Sequence, residues 1–314
     1  MTPGKKIILV TGGSGLVGQA IKKVCRDGEE GEGEKFVFLS SKDGDLADAE
    51  ATRKIFEKYR PTHVIHLAAK VGGLFDNMAH NLDFLRQNIH INDNVLQTSY
   101  ETGVFKVVSC LSTCIFPDKT TYPINETMVH NGPPHNSNYG YSYAKRLIDI
   151  SNRGYYDQYG KIFTSVIPCN VFGPHDNFNL KSSMLIRHVI IERLFNIKRD
   201  KEFVVLGSGK PLRQFIYSLD LAKLFLWVLR EYDEVEPVIY PVSLLEVARL
   251  IAKSFSYQGM IRFDSSAADG QYKKTACNNK LRSLIGTEFK FTPLAEAIQE
   301  TVGWFQNNHG IARL

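Results

Sequence analysis

Cysteine is scarce in this chain, and no pattern gives it structural work. The five cysteines, Cys25, Cys110, Cys114, Cys169 and Cys277, form no Cys-x-x-Cys pair and no metal-ligand spacing. That argues against a disulfide scaffold or a metal module and points to reduced thiols in a cytoplasmic protein. Long apolar runs are missing too. Met1–Lys6 leads into only four apolar residues, Ile7–Val10, and no later run approaches the roughly eighteen needed to cross a bilayer. A soluble chain with no membrane segment is therefore expected. Nor is one sign of charge in large excess: the formal net charge is +5 and the cations are scattered, so no nucleic-acid partner is expected. Repeats and low-complexity tracts are absent. What remains is an ordinary globular composition, 43% apolar and 11% aromatic over 314 residues, enough for a large core and, at about 150 residues per domain, for about two domains.

The first half alternates short β-rich runs with helical patterns. Strands are predicted at Ile7–Val10, Phe36–Leu39, His63–Leu67, Lys106–Leu111 and Phe163–Pro168. Helices are predicted at Leu16–Cys25, Ala47–Tyr59, Leu82–Thr102 and Tyr143–Tyr156. The acidic, Gly-rich Asp27–Glu34 reads as a surface loop. Such alternation predicts an α/β fold, a Rossmann-type doubly wound parallel sheet. From Gly173 the elements become shorter. Residues 1–174 are thus expected to form the nucleotide-binding domain and 175–314 a smaller, mixed substrate domain, with the chain returning to the sheet near 214–230.

Thr11 is followed by Gly12, Gly13, Ser14, Gly15, Leu16, Val17 and Gly18, between the first strand and the first helix. Glycines there permit a tight turn and let backbone N–H groups approach a pyrophosphate at the helix N-terminus. A glycine-rich loop alone is weak evidence, and its position after a strand and before an amphipathic helix is what makes this one a dinucleotide site. The second strand ends Leu39-Ser40-Ser41-Lys42 rather than in a carboxylate. Two hydroxyls and a cation suit a 2′-phosphate, favouring NADP(H). Asp43 just beyond keeps NAD open, and a solvated turn would also read Ser-Ser-Lys.

Ser112 follows the fourth strand, and Tyr141 and Lys145 share one face of the next helix at i and i+4. A nearby ammonium is expected to lower the Tyr141 pKa toward one useful for proton transfer. Lys145 also suits a nicotinamide ribose, and the Ser112 hydroxyl a reacting oxygen. Hydride transfer at a carbonyl or alcohol is the chemistry these groups support.

These residues, with Leu67–Gly73, Leu111–Pro117 and Pro168–Phe178, resemble the extended short-chain dehydrogenase/reductase family, and within it the epimerase/reductases of GDP-4-keto-6-deoxy-D-mannose. The resemblance runs from the glycine loop to Trp304. It implies NADPH as cofactor, a GDP-sugar substrate, C3 and C5 epimerisation followed by C4 reduction to GDP-L-fucose, and a homodimer. It places Asp45, Leu46, Ala68, Ala69, Pro168, Cys169, Asn170 and Val171 beside the cofactor. Asn170, Arg213, Asp269 and Lys274 fall near the substrate. Cys114 stands where related dehydratases carry an Asp-Glu pair, and the resemblance makes its thiolate the base for both epimerisations.

Two stretches depart from the family pattern. A His-Val-(Ile/Leu)-Pro segment, whose His is the epimerisation acid, is expected soon after Asn177-Phe178. Here either His188-Val189-Ile190 is that segment displaced, or the segment is absent and His188 sits on a helix. The second departure is Val238–Leu244, which is shortened and contains Pro241. Two rivals stay open: another nucleotide-sugar epimerase or dehydratase, and a dinucleotide-binding regulatory protein with a degraded substrate site. For the dimer that the resemblance implies, helices 81–102 and 143–156 are the expected contact; Leu82, Leu85, Ile89 and Leu96 supply an apolar stripe, which would equally suit a face turned to the sheet.

Overall fold

The structure, a computed structural model, describes residues 5–178, 203–206, 212–240, 247–255, 257, 259, 261–264, 273–286 and 288–312. Five strands of the first half, β1 (Lys6–Thr11), β2 (Glu34–Phe38), β3 (His63–His66), β4 (Lys106–Cys110) and β5 (Ile162–Pro168), join β10 (Val238–Tyr240) in one sheet. Its order is β10-β5-β4-β3-β1-β2, and every pairing is parallel. The chain leaves β1 in one direction to make β2 and in the other to make β3. The C-terminal ends of β1 and β3 therefore form the switch point where such folds hold ligands.

Strands buried on both faces read as continuous apolar runs, which is why Ile7–Val10 shows no alternation. Alternate residues nevertheless serve different layers. Ile8, Val10, Ile65, Val108 and Val166 pack with α1 (Leu16–Val24) and the helix Ser218–Glu231. Leu9, Val64, Val107 and Ile167 face the other layer, formed by α2 (Ala49–Tyr59), α4 (Asn81–Glu101) and α5 (Tyr139–Tyr159). At about 2 kcal/mol for each fully buried aliphatic side chain, this packing outweighs the helix ends: neither α1 nor α5 has a side-chain N-cap. A third core joins Phe172, Phe178, Phe215, Tyr217, Ile298 and Phe305 beneath the helix Leu294–Asn308.

The structure corrects or refines the sequence reading in three places. Asp27–Glu34 is not wholly a loop. One π turn, Cys25–Glu29, prolongs α1, and Glu34 opens β2 with its carboxylate held by Arg230 at 2.7 and 3.1 Å. Within 214–230 it is the helix Ser218–Glu231 that packs back on the large sheet, while Phe215–Tyr217 (β9) pairs with Asn170–Phe172 (β6). The proposed apolar stripe of α4 also divides: Leu96 is in the core, whereas Leu82 is 62% exposed. An extra helix, α3 (Leu74–Ala79), precedes α4. Among the described residues no helix is long and apolar enough to cross a membrane.

Candidate active site

The glycine loop is wedged between the exits of two strands. Gly12 has φ 67°, and a Cβ there would lie 2.9 Å from the Ala68 backbone nitrogen. A Cβ on Gly18, in the first turns of α1, would lie 2.5 Å from Gly13 Cα. The Gly13 N–H donates to Leu39 at 2.7 Å, fixing the loop against the end of β2. No acidic residue occupies the first turn of α1, while Lys22 and Lys23 close its last turn. The N-terminal N–H groups and the positive end of the helix dipole are thus free of an internal anion, an arrangement that fits a pyrophosphate. Ala68 and Ala69 follow β3; the Leu67 and Ala68 N–H groups donate to Thr11 Oγ1, each at 3.1 Å.

At the end of β2, Ser41, Lys42 and Asp43 are exposed. The Asp43 carboxylate accepts from the Ser40 N–H at 2.7 Å and from its hydroxyl at 3.0 Å, and those bonds hold the carboxyl below its usual range. Asp45 caps the next turn by accepting from the Ala47 N–H at 2.9 Å, and Leu46 is buried.

Past β4 the chain turns sharply. Ser112 is extended, and its hydroxyl oxygen accepts from the Cys114 N–H at 3.4 Å, opening the short 3₁₀ turn Thr113–Ile115. The first turns of α5 lie over it. Lys145, 2% exposed, donates to the Cys110 carbonyl at 2.8 Å and stands 5.8 Å from the centroid of the Tyr141 ring. Ser112, Cys114, Tyr141 and Lys145 are thereby assembled at one end of the sheet, next to the switch point.

Their electrostatics depart from the expectation for Tyr141. Burial pushes its phenol well above the ordinary value, with the neighbouring Cys114 and Cys110 adding to the effect. The ammonium does not offset this: Lys145 is bonded to a carbonyl, and burial lowers its own pKa. Tyr141 rests as a protonated donor, the form needed to deliver a proton to a developing alkoxide. Cys110 is likewise pushed up to about 11 and Cys25 to about 12, both chiefly by burial, so neither is suited to act as a thiolate.

On the far side, β5 ends at Pro168 and Cys169 is buried. Asn170 opens β6 and donates its side-chain amide to the Gln214 carbonyl at 2.9 Å; Val171 follows it in the strand. Gln214 was missed by the sequence reading, since nothing in its local pattern marks it. Its amide clasps the backbone of Ala276, accepting from the N–H at 2.7 Å and donating to the carbonyl at 3.2 Å. Arg213 and Lys274, distant in sequence, are register partners in the parallel pair β8 (Leu212–Arg213) and β12 (Lys273–Lys274). His188 and Asp269 lie outside the described residues. Among those described, no group of three or more His, Cys, Asp or Glu is placed to hold a metal ion.

A family model described as the NAD dependent epimerase/dehydratase family matches residues 8–243. The chain belongs to this family. It is 56% identical to a probable GDP-L-fucose synthase of Drosophila melanogaster, covering 98% of this chain and 99% of that protein. It is 54% identical to a GDP-L-fucose synthase of Dictyostelium discoideum, with 99% of each covered. Within the epimerase/dehydratase family it therefore sits with the GDP-L-fucose synthases. Among solved structures it superimposes on a GDP-L-fucose synthetase from Naegleria fowleri bound to NADP with a TM-score of 0.93, at 48% identity, covering 100% of this chain and 97% of that one.

Proposed function

We propose that this protein converts GDP-4-keto-6-deoxy-D-mannose to GDP-L-fucose, inverting C3 and C5 and then reducing C4 with NADPH. The observation that carries the reading is the convergence of Ser112, Cys114, Tyr141 and Lys145 beside a glycine cradle that leaves no room for a Cβ. In it residues 1–174 carry the cofactor site and the chain beyond 175 grips the GDP-sugar.

The pyrophosphate of NADPH fits the loop from Gly12 to Gly18, and Ser41 and Lys42 are exposed near the expected position of its 2′-phosphate. Ala68, Ala69 and the Pro168–Val171 segment border the same end of the sheet. When bound, NADPH supplies the hydride for C4. The protein's own groups do the rest. The 4-keto group acidifies the hydrogens on C3 and C5; Cys114 removes them, and an acid on the opposite face returns a proton with inversion. Ser112 holds the C4 oxygen, Tyr141 gives it a proton, and Lys145 steadies the nicotinamide ribose. Asn170, Arg213, Asp269 and Lys274 serve the substrate, the cations matching its diphosphate. His188 is the candidate acid in the reading that displaces the family segment.

The apolar face left bare on α5 supports a homodimer: Tyr143, Leu147 and Ile150 recur at helical spacing and are 41–52% exposed, and Leu82 of α4 is exposed as well. Five free thiols suit a cytoplasmic setting.

The test is NADPH oxidation with GDP-4-keto-6-deoxy-D-mannose, the sugar product identified by NMR. GDP-L-fucose is expected. Reduction without inversion would remove the epimerase half of the reading, and tight NADPH binding without turnover would leave a dinucleotide-binding protein.

A further inference from the structure

A guanidinium stripped of water needs a counter-charge or a full set of acceptors. Arg146, which follows Lys145 on α5, is 6% exposed, and among the described residues no carboxylate pairs with it. Its Nε–H donates to the carbonyl of Ile115, the last residue of the turn that carries Cys114. Its guanidinium carbon lies 5.5 Å from the centroid of the Tyr143 ring. Its Nη2 is buried and finds no acceptor among the described residues. Two groups interact with it in the opposite sense: Tyr143, the larger influence, and Cys114, 8% exposed, a thiol also in electrostatic contact with Tyr141 and Lys145 of the same helix. Beside that thiol, Tyr141 is neutral and Lys145 is bonded to the Cys110 carbonyl. Of the two cations, Arg146 is the one with a buried nitrogen, Nη2, that has no acceptor among the described residues.

We propose that Arg146 is a positioning residue for the epimerisation base: its charge stabilises the Cys114 thiolate, and its bond to Ile115 fixes the turn that aims the sulfur at the sugar. This rests on Cys114 being that base. In the step, Cys114 has already lost its proton to solvent. The C–H bond at C3 or C5 breaks, an S–H bond forms, and the electron pair passes into an enolate whose charge rests on the C4 oxygen. A proton from the opposite face then restores the carbon. An arginine at this place raises the fraction of protein that begins with the thiolate in hand.

Three variants test it. Arg146→Gln keeps an N–H for the Ile115 carbonyl but removes the charge, Arg146→Lys keeps the charge, and Cys114→Ser removes the base. Four quantities are read: deuterium uptake at C3 and C5 of GDP-4-keto-6-deoxy-D-mannose in D₂O without NADPH; alkylation of Cys114 by iodoacetamide; hydride transfer in reverse, from GDP-L-fucose to NADP; and thermal unfolding. Arg146→Gln is expected to slow deuterium uptake and alkylation about tenfold or more near neutral pH. Both should recover as the pH is raised toward about 9, with reverse hydride transfer within about threefold of the parent. Arg146→Lys should restore most of the loss. Unchanged uptake and alkylation in Arg146→Gln would overturn the proposal. So would an equal loss of uptake and hydride transfer in both arginine variants alongside a lower Tm, which would make Arg146 a structural clamp. If Cys114→Ser retains full uptake, the base assignment itself fails. If Cys114→Ser is inert while Arg146→Gln is silent, only the role of Arg146 fails.

Discussion

Thr11 and His66 are register partners at the C-terminal ends of β1 and β3, and the Thr11 hydroxyl meets His66 Nδ1 at 2.9 Å. The direction of that bond follows from its neighbours. Thr11 Oγ1 already accepts from two N–H groups, so its own proton goes to Nδ1 and the imidazole carries hydrogen on Nε2. Nε2 then donates to Asn92 Oδ1 at 3.1 Å, and the Asn92 amide donates to the Ala144 carbonyl at 3.2 Å. One buried, one-way chain of bonds joins the glycine loop to the residue before Lys145.

His66→Leu should break this chain twice, leaving the Thr11 hydroxyl proton without an acceptor and Asn92 Oδ1 without a donor. At about 1–3 kcal/mol for each unsatisfied group, urea unfolding should report a loss of roughly 2–5 kcal/mol. An unchanged midpoint and slope would mean that the chain does not support the fold.

Acid should act through the same residue. Burial, with Lys145 nearby, lowers the His66 pKa from 6.5 to about 3, and burial lowers that of His63 to about 4. Below pH 6.5 the unfolded chain therefore binds more protons than the folded one. Their contribution is complete above that pH and is lost as pH falls toward about 4 and 3. At pH 5 each histidine should cost about 2 kcal/mol. Unfolding free energies measured in that range should fall with acid, and His63→Gln should flatten the slope.

Gly18→Ala places a methyl 2.5 Å from Gly13 Cα, a contact that backbone must relieve by moving. Because the move displaces the cradle rather than a side chain, NADPH affinity should drop at least about tenfold in a fluorescence titration. Circular dichroism should still report a folded sheet. Undiminished affinity would place the pyrophosphate elsewhere.

Tyr141→Phe should separate the two chemistries. Loss of the phenol removes the proton donor for C4 and should slow NADPH oxidation by about a hundredfold or more. Deuterium uptake at C3 and C5, assigned in the proposed reaction to Cys114, should persist. Equal loss of both would show that Tyr141 also serves the epimerisation.

Much of the cofactor side was legible because its signals are local. The glycine loop, Ser112 and the Tyr141–Lys145 pair depend on spacings within one turn or one helix, and the strands around them are apolar enough to stand out. What escaped notice depends on partners far along the chain. Glu34 looked like one more acid in a loop, because Arg230, which holds it, lies 196 residues away. Gln214 has no periodicity to betray its clasp on Ala276. The Tyr141 pKa was misjudged because proximity to Lys145 in sequence says nothing of the carbonyl that takes up the ammonium, or of the burial that dominates.

The large sheet also sets a timetable for synthesis. Its first five strands emerge by residue 168, yet one of its two faces is covered by residues 218–231 and its β5 edge is closed by 238–240. A chain still on the ribosome thus carries a nearly finished sheet whose Ile8, Val10, Ile65, Val108 and Val166 have α1 but not their second helix. At about 5–20 residues per second, that half-clad surface persists for several seconds, a window in which holdase chaperones should find the nascent enzyme and after which they should not.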